Sequence, residues 1–286
     1  MISFRFHIVS LAAVFMALAL GVVLGTAFIN DGIVNRLESD VKGLRAERNT
    51  ARSELSDWRK FGNESEQAVV RGQLDGVRVV TIVPAGLPGS VPEKLRSLLE
   101  TAGAVDAGLV TLDGAWGEEK PPTDDIAAAL GIVGPISIES VTNEAADRLA
   151  REFAAGGGPT LGALVDASLA KLDAGDPATT PGELTRFVIL DNGAPSGLLE
   201  PLTRALATQV PSGVLVADAG PDDAVTESLV GLLRADPKGA LFSTVDHIRT
   251  PPGRIAAILA LRDFARGATG AYGTCCGADR AAPSGG

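Results

Sequence analysis

Histidine and soft metal donors are scarce in this 286-residue chain. Histidine occurs at His7 and His247, and methionine at Met1 and Met16. A Ser-His-Asp arrangement could draw only on His247, and no G-x-S-x-G elbow accompanies it. Cysteine is confined to the neighbours Cys275 and Cys276, so a framework of spaced disulfides is excluded. A G-x-x-x-x-G-K-[ST] phosphate loop is missing. Gly156-Gly157-Gly158 runs into Pro159-Thr160-Leu161-Gly162, which misses the dinucleotide spacing, does not directly follow a strand, and reads as a turn. Aromatics make up only 4% against 45% hydrophobic residues, so the core must be built from small aliphatic side chains. Positive charge is sparse beyond the first sixty residues: residues 61–286 carry a net −12, residues 1–60 a net +2. Phosphate neutralisation needs clustered Lys and Arg. No nucleic-acid partner is expected, and the acidity reads as a solubility feature.

What is present begins with an apolar run over residues 8–29, 22 residues without a charge. About 20 apolar residues cross the hydrocarbon core as a helix. A secretory signal has a shorter apolar stretch and a cleavage site, whereas this run leads straight into heptads, so it reads as an uncleaved transmembrane anchor. Ala13, Ala17, Gly21 and Gly25 recur every four residues and line one stripe, a small-xxx-small pattern that lets two helices approach closely; such residues are also common in membrane helices. Counts of Lys and Arg on the two flanks do not settle orientation. Arg5 is the charge nearest the run, which favours residues 1–7 as a cytoplasmic tail and an extracytoplasmic main domain at the cell membrane. Over residues 30–61, Val34, Leu37, Val41, Leu44, Arg48, Ala51, Leu55 and Trp58 follow alternating spacings of three and four. That is the a/d seam of about four heptads. A parallel self-dimer is the preferred reading; a helix packed on its own domain and a hetero-partner are the alternatives.

From Gly76 the pattern changes. Near-continuous apolar runs at 77–83, 107–112, 186–191, 213–218 and 240–245 read as strands buried on both faces. Helical stretches at 92–102, 143–155, 197–208, 223–234 and 254–266 alternate with them. The expectation is an α/β fold, a doubly wound and largely parallel sheet, over residues 76–270. Residues 113–137 read as a loop or insertion, and residues 271–286 as a flexible tail. Asp113, Asp191, Asp218 and Asp246 fall at or just past strand ends, where α/β sites form, although Asp also caps helices and opens turns. Asp166 is a further carboxylate. The Cys275–Cys276 pair could hold a soft ion such as copper(I), close as a disulfide, or do neither.

Two stretches carry a resemblance. Residues 1–15 followed by Gly21-Val22-Val23-Leu24-Gly25, and Ser243-Thr244-Val245-Asp246 followed by Pro252-Gly253-Arg254-Ile255, Ile258-Leu259-Ala260-Leu261 and Tyr272-Gly273, resemble the MctB family, which includes the corynebacterial cell-division protein SteB. Anchor, coiled coil and α/β domain occur in the family order, so the resemblance spans nearly the whole chain. It implies an envelope protein tied to copper export, or, as in SteB, to division through a membrane partner, SteA. It brings no catalytic residues. The chain departs near its end: the mycobacterial relative has histidine-containing, glycine-rich sequence around the Tyr-Gly, where this chain has Gly270-Ala271-Tyr272-Gly273-Thr274-Cys275-Cys276. A metal bound by the tail would therefore meet different ligands. One apolar helix offers Met16 alone as a donor within the span, so direct transport by a single chain is hard to support. The preferred expectation is a non-enzymatic dimeric scaffold in envelope remodelling with a SteA-like partner. The alternative is a copper-efflux component.

Overall fold

The computed structural model describes residues 4–117, 122–134, 137–175, 185–193, 197–221, 225–236 and 242–284; side chains at 26–35 and 174–175 lie outside the description. The chain divides into two units, Met1–Lys60 and Phe61–Gly286.

Residues 4–60 of the first unit lie within helix α1, Phe4–Val70. Its Phe4–Gly25 stretch has a mean hydropathy of 2.6 and is long and apolar enough to cross a membrane. Along the stripe, a Cβ added at Gly21 or Gly25 would meet nothing within 4 Å, and Ala13 and Ala17 are exposed. Of the heptad positions, Leu37, Leu44, Leu55 and Trp58 are all at least half exposed and Val41 is 38% exposed; the Val34 side chain lies outside the described residues. Lys42 pairs with Glu38 one turn back, at 3.0 Å.

The second unit is a seven-stranded open sheet of order β3-β2-β1-β4-β5-β6-β7. The strands are β1 Arg78–Pro84, β2 Val105–Leu112, β3 Ala170–Gly175, β4 Thr185–Asp191, β5 Val214–Asp218, β6 Ser243–Val245 and β7 Ala271–Tyr272. All pairs are parallel except β2–β3. Alternation along the strands splits their side chains between two cores. Val80, Ile82, Phe187, Ile189, Val214 and Val216 face one; Val79, Val83, Val188, Leu190 and Leu215 face the other. Burial on both faces is what near-continuous apolar strands require.

The first core is covered by α3 Thr123–Leu130, α4 Ile138–Ala155, α5 Pro159–Asp166, α6 Leu199–Gln209 and α7 Leu229–Ala235. The second is covered by α2 Ser90–Thr101, α8 Pro251–Asp263 and the final turns of α1, whose Val70 is fully buried. Local signals place these helices. In α2, Leu95, Leu98 and Leu99 share the buried face at helical spacing. Ser137 and Ser140 form a capping box for α4, and Gly156 closes it in the left-handed region at φ 77°. Thr250 caps α8, followed by two prolines at its first positions.

Two expectations need correction. Residues 113–137 are not simply a loop: a 3-10 turn, Gly114–Gly117, and α3 lie within them. The Pro-rich start hides a helix with Asp124 and Asp125 in its first turn and Ile126, Ala127 and Leu130 buried. The glycine stretch at 156–158 is the turn that the sequence predicts, and it leads into α5 with Pro159 at its first position. Residues 271–284, expected as a flexible tail, begin with β7 beside β6, and Arg280 bridges back to Tyr272. Of the strand expected over 240–245, positions 240 and 241 lie outside the described residues, as do 223 and 224 of the helix expected there.

Candidate functional site

The parallel strands deliver three of the four strand-end aspartates to neighbouring positions. Asp191 closes β4, Asp218 closes β5 in register with it, and Asp246 follows β6. Each is 1% exposed. Asp113 is exposed and its carboxylate accepts from the Ala115 amide, which is turn chemistry. Asp166 is an exposed residue at the end of α5.

The three buried carboxylates differ in how they are satisfied. Asp191 accepts from the Leu229 amide at 2.6 Å and the Gly193 amide at 3.2 Å; burial still pushes its pKa up against these bonds. Asp218 accepts from the Gly220 amide at 3.3 Å through Oδ1, while its buried Oδ2 has no hydrogen-bond partner. Burial first, then the neighbouring Asp191 and Asp246 charges, push its carboxyl up to about 6 against the Gly220 amide and His247. Asp246 is fully engaged. Oδ1 meets His247 Nδ1 at 2.6 Å and accepts from the Thr274 amide at 3.0 Å. Oδ2 accepts from Arg234 Nη1 at 3.0 Å and from the Cys275 amide at 3.2 Å. Burial would raise its pKa, but His247, Arg234 and the two amides together hold it below the ordinary value.

Arg234 completes a clamp on the terminal segment. Its Nη2 donates to the Tyr272 carbonyl at 2.6 Å, Nη1 to the Cys275 carbonyl at 2.8 Å, and Nε to Thr244 Oγ1 at 2.9 Å. Gly273 has φ +136°, and a Cβ there would lie 2.0–2.1 Å from the Asp246 carboxylate, so only glycine lets the backbone pass so close. Cys275 and Cys276 are joined by a disulfide. Both are half-buried and pack against the first core, and Cys276 Sγ lies 3.4 Å from Thr226 Oγ1. A pocket of about 310 Å³ beside the clamp is lined by Arg234, Asp236, Thr244, Gly270, Gly277 and Asp279. Sequence reasoning passed over Arg234; its signal is a lone basic residue ending the apolar run Leu229–Ala235.

Two alternatives are answered locally. The amides of Thr160 and Leu161, which a phosphate would need at the start of α5, donate to the Glu152 carboxylate at 2.6 and 3.2 Å. Among the described residues, no group of three or more His, Cys, Asp and Glu is arranged to hold a metal. The resemblance motif at Pro252-Gly253-Arg254 serves packing: Arg254, 2% exposed, pairs with Glu66 at 2.7 Å and also bonds Asn63 and the Arg249 carbonyl.

Comparison with known proteins bears on the whole chain. A family model described as "Copper transport outer membrane protein, MctB" matches residues 1–283. Copper transporter MctB of Mycobacterium tuberculosis (strain ATCC 25618 / H37Rv) is 31% identical over 310 residues, covering 97% of this chain and 98% of the relative. The protein of the same name from Mycobacterium leprae (strain TN) is 28% identical over 312 residues, with the same coverage.

Proposed function

The chain belongs to the MctB family, and from that premise we propose that it is a non-enzymatic, membrane-anchored component of copper handling in the cell envelope. The observation that carries this reading is similarity along 97% of the chain to proteins named copper transporters. The anchor lies within the apolar Phe4–Gly25 helix, its span beginning after a cytoplasmic tail of residues 1–7, with the α/β unit outside. One apolar helix gives an ion no polar path through lipid, so copper crosses through a larger assembly and this chain supplies its anchored domain. Of the strand-end carboxylates, Asp246 is committed to Arg234, His247 and two backbone amides, which leaves it unavailable as a general acid or base. The test is cell copper content and copper tolerance in a strain lacking the gene, with and without the full chain restored. Copper accumulation reversed by the chain is the expected result; unchanged copper overturns the reading.

A second reading is favoured by the exposed apolar heptads, Leu37, Leu44, Leu55 and Trp58. In it the helix forms a parallel self-dimer, or joins a SteA-like membrane partner, as a scaffold for division. Chained or mis-septated cells with normal copper would support this reading over the first.

A further inference from the structure

We infer that Cys275 and Cys276 form a redox-gated copper(I) site, closed as the disulfide and open as the dithiol. The inference rests on the copper reading only for the identity of the ion; the site itself stands on four observations. The two sulfurs are the chain's whole cysteine complement and sit on adjacent residues, so both donors belong to one turn. That turn is held independently of the disulfide. The Cys275 amide donates to Asp246 and the Cys275 carbonyl accepts from Arg234, while Ala278 N–H returns to the Cys275 carbonyl at 3.1 Å. Breaking the S–S bond therefore leaves the backbone that carries the thiols in place. Both residues are half-buried, with an apolar side against the first core. They are reachable by a reductant yet shielded on one side from water. Finally, Thr226 Oγ1 stands 3.4 Å from Cys276 Sγ, placed to hydrogen-bond a thiolate.

The chemistry balances with an external dithiol as reductant. One of its thiolates attacks a sulfur of the pair, and the S–S bond breaks to give a mixed disulfide. Its second thiol resolves that intermediate. Two electrons and two protons pass to Cys275 and Cys276 as the reductant becomes a disulfide. Copper(I) then displaces the two thiol protons and binds as a bis-thiolate of net charge −1. Thiolates select soft copper(I) over the hard divalent cations that the strand-end carboxylates would suit.

The test uses the full chain in detergent micelles, prepared oxidised and, after dithiol treatment and anaerobic desalting, reduced. Each form is titrated with copper(I) against a chromophoric copper(I) chelator. Reduced wild type is expected to take one copper(I) per chain and show a thiolate-to-copper charge-transfer band. Oxidised wild type and reduced Cys275→Ser/Cys276→Ser should bind at least a hundredfold more weakly, and Zn(II) in equimolar amount should not displace the copper. Equal uptake by the oxidised chain or the double variant overturns the site, as does no uptake by the reduced chain. Oxidised wild type differs only in redox state, so a folding defect in the variant does not confuse the result. If the double variant fails to bind copper(I) but restores copper tolerance to the deletion strain as well as wild type does, the site plays no part in copper handling and the family reading stands. If the reduced chain binds copper(I) while deletion leaves cell copper unchanged, the copper reading fails instead.

Discussion

At Asp218, burial and charge oppose each other on one atom. Oδ2 is buried without a hydrogen-bond partner, and the carboxyl is pushed up to about 6 from an ordinary 3.8. A raised folded pKa means that the folded chain holds the proton more tightly than the unfolded one. The stabilising contribution is therefore full below about pH 4 and is lost as pH rises through about 6. Asp218→Asn keeps an acceptor for the Gly220 amide but cannot ionise. It should be more stable than wild type at pH 8, by up to about 3 kcal/mol at about 1.4 kcal/mol per pH unit, with the advantage gone near pH 4. Denaturant unfolding of the full chain in micelles at pH 4, 6 and 8 measures this, and a pH-independent difference would sink the account. Gly273 supports a second expectation at this scale. Its φ of +136° and its approach to Asp246 mean that Gly273→Ala must push the terminal segment off the clamp. Amide hydrogen exchange at Thr274 and Cys275, whose N–H groups are bound by Asp246, should accelerate at least tenfold while β1 and β4 stay protected.

Among the elements, the join of α1 to α8 depends on a buried ion pair. Glu66 is 4% exposed and Arg254 2%, and Gly62 gives way to Pro251, whose side chain would lie 2.9 Å from an added Cβ. Removing one partner of such a pair strands the other's charge, at a cost of about 3–5 kcal/mol. Lys94 Nζ lies 4.0 Å from Glu66 and offsets part of it. Arg254→Met should therefore cost about 3 kcal/mol in denaturant unfolding, and Glu66→Gln/Arg254→Met should recover at least half. A double variant no better than the single would mean that the charge is not what matters. The elements that sequence reasoning found are those whose burial is two-sided, because near-continuous apolar runs mark them: 77–83 became β1 and 186–191 became β4 within a residue at each end. β3 was missed because it is an edge strand with exposed Lys171 and Asp173, which break the apolar pattern. β7 has only two residues and takes its structure from pairing with β6. The strand-end aspartates were legible as positions. Their unequal environments were not, since Arg234 lies 12 residues and the Cys275 amide 29 residues from Asp246 and only the fold brings them together.

Over the whole molecule, a family described by an outer-membrane name is represented by a chain whose candidate span is a helix and whose sheet is open, with helices on both faces. A spanning barrel would need a closed sheet with a lipid-facing apolar band, so membrane attachment falls to α1. What the first unit does beyond anchoring turns on its heptads. Leu44 is 65% exposed at a seam position, whereas Glu47 lies off the seam on the same turn. If two chains pair in parallel, a cysteine at Leu44 meets the same residue of its own copy across the seam, whereas one at Glu47, which flanks the seam, faces a different position of the copy. In a Cys275→Ser/Cys276→Ser background, mild oxidation of native membranes should cross-link Leu44→Cys into a dimer several-fold more efficiently than Glu47→Cys. Equal cross-linking at both positions would reflect random collision, and none at either would remove the self-dimer and leave a different chain as the seam's partner. Because residues 1–60 form their own unit, neither substitution should shift the unfolding midpoint of the α/β unit, which separates a lost interface from a damaged fold.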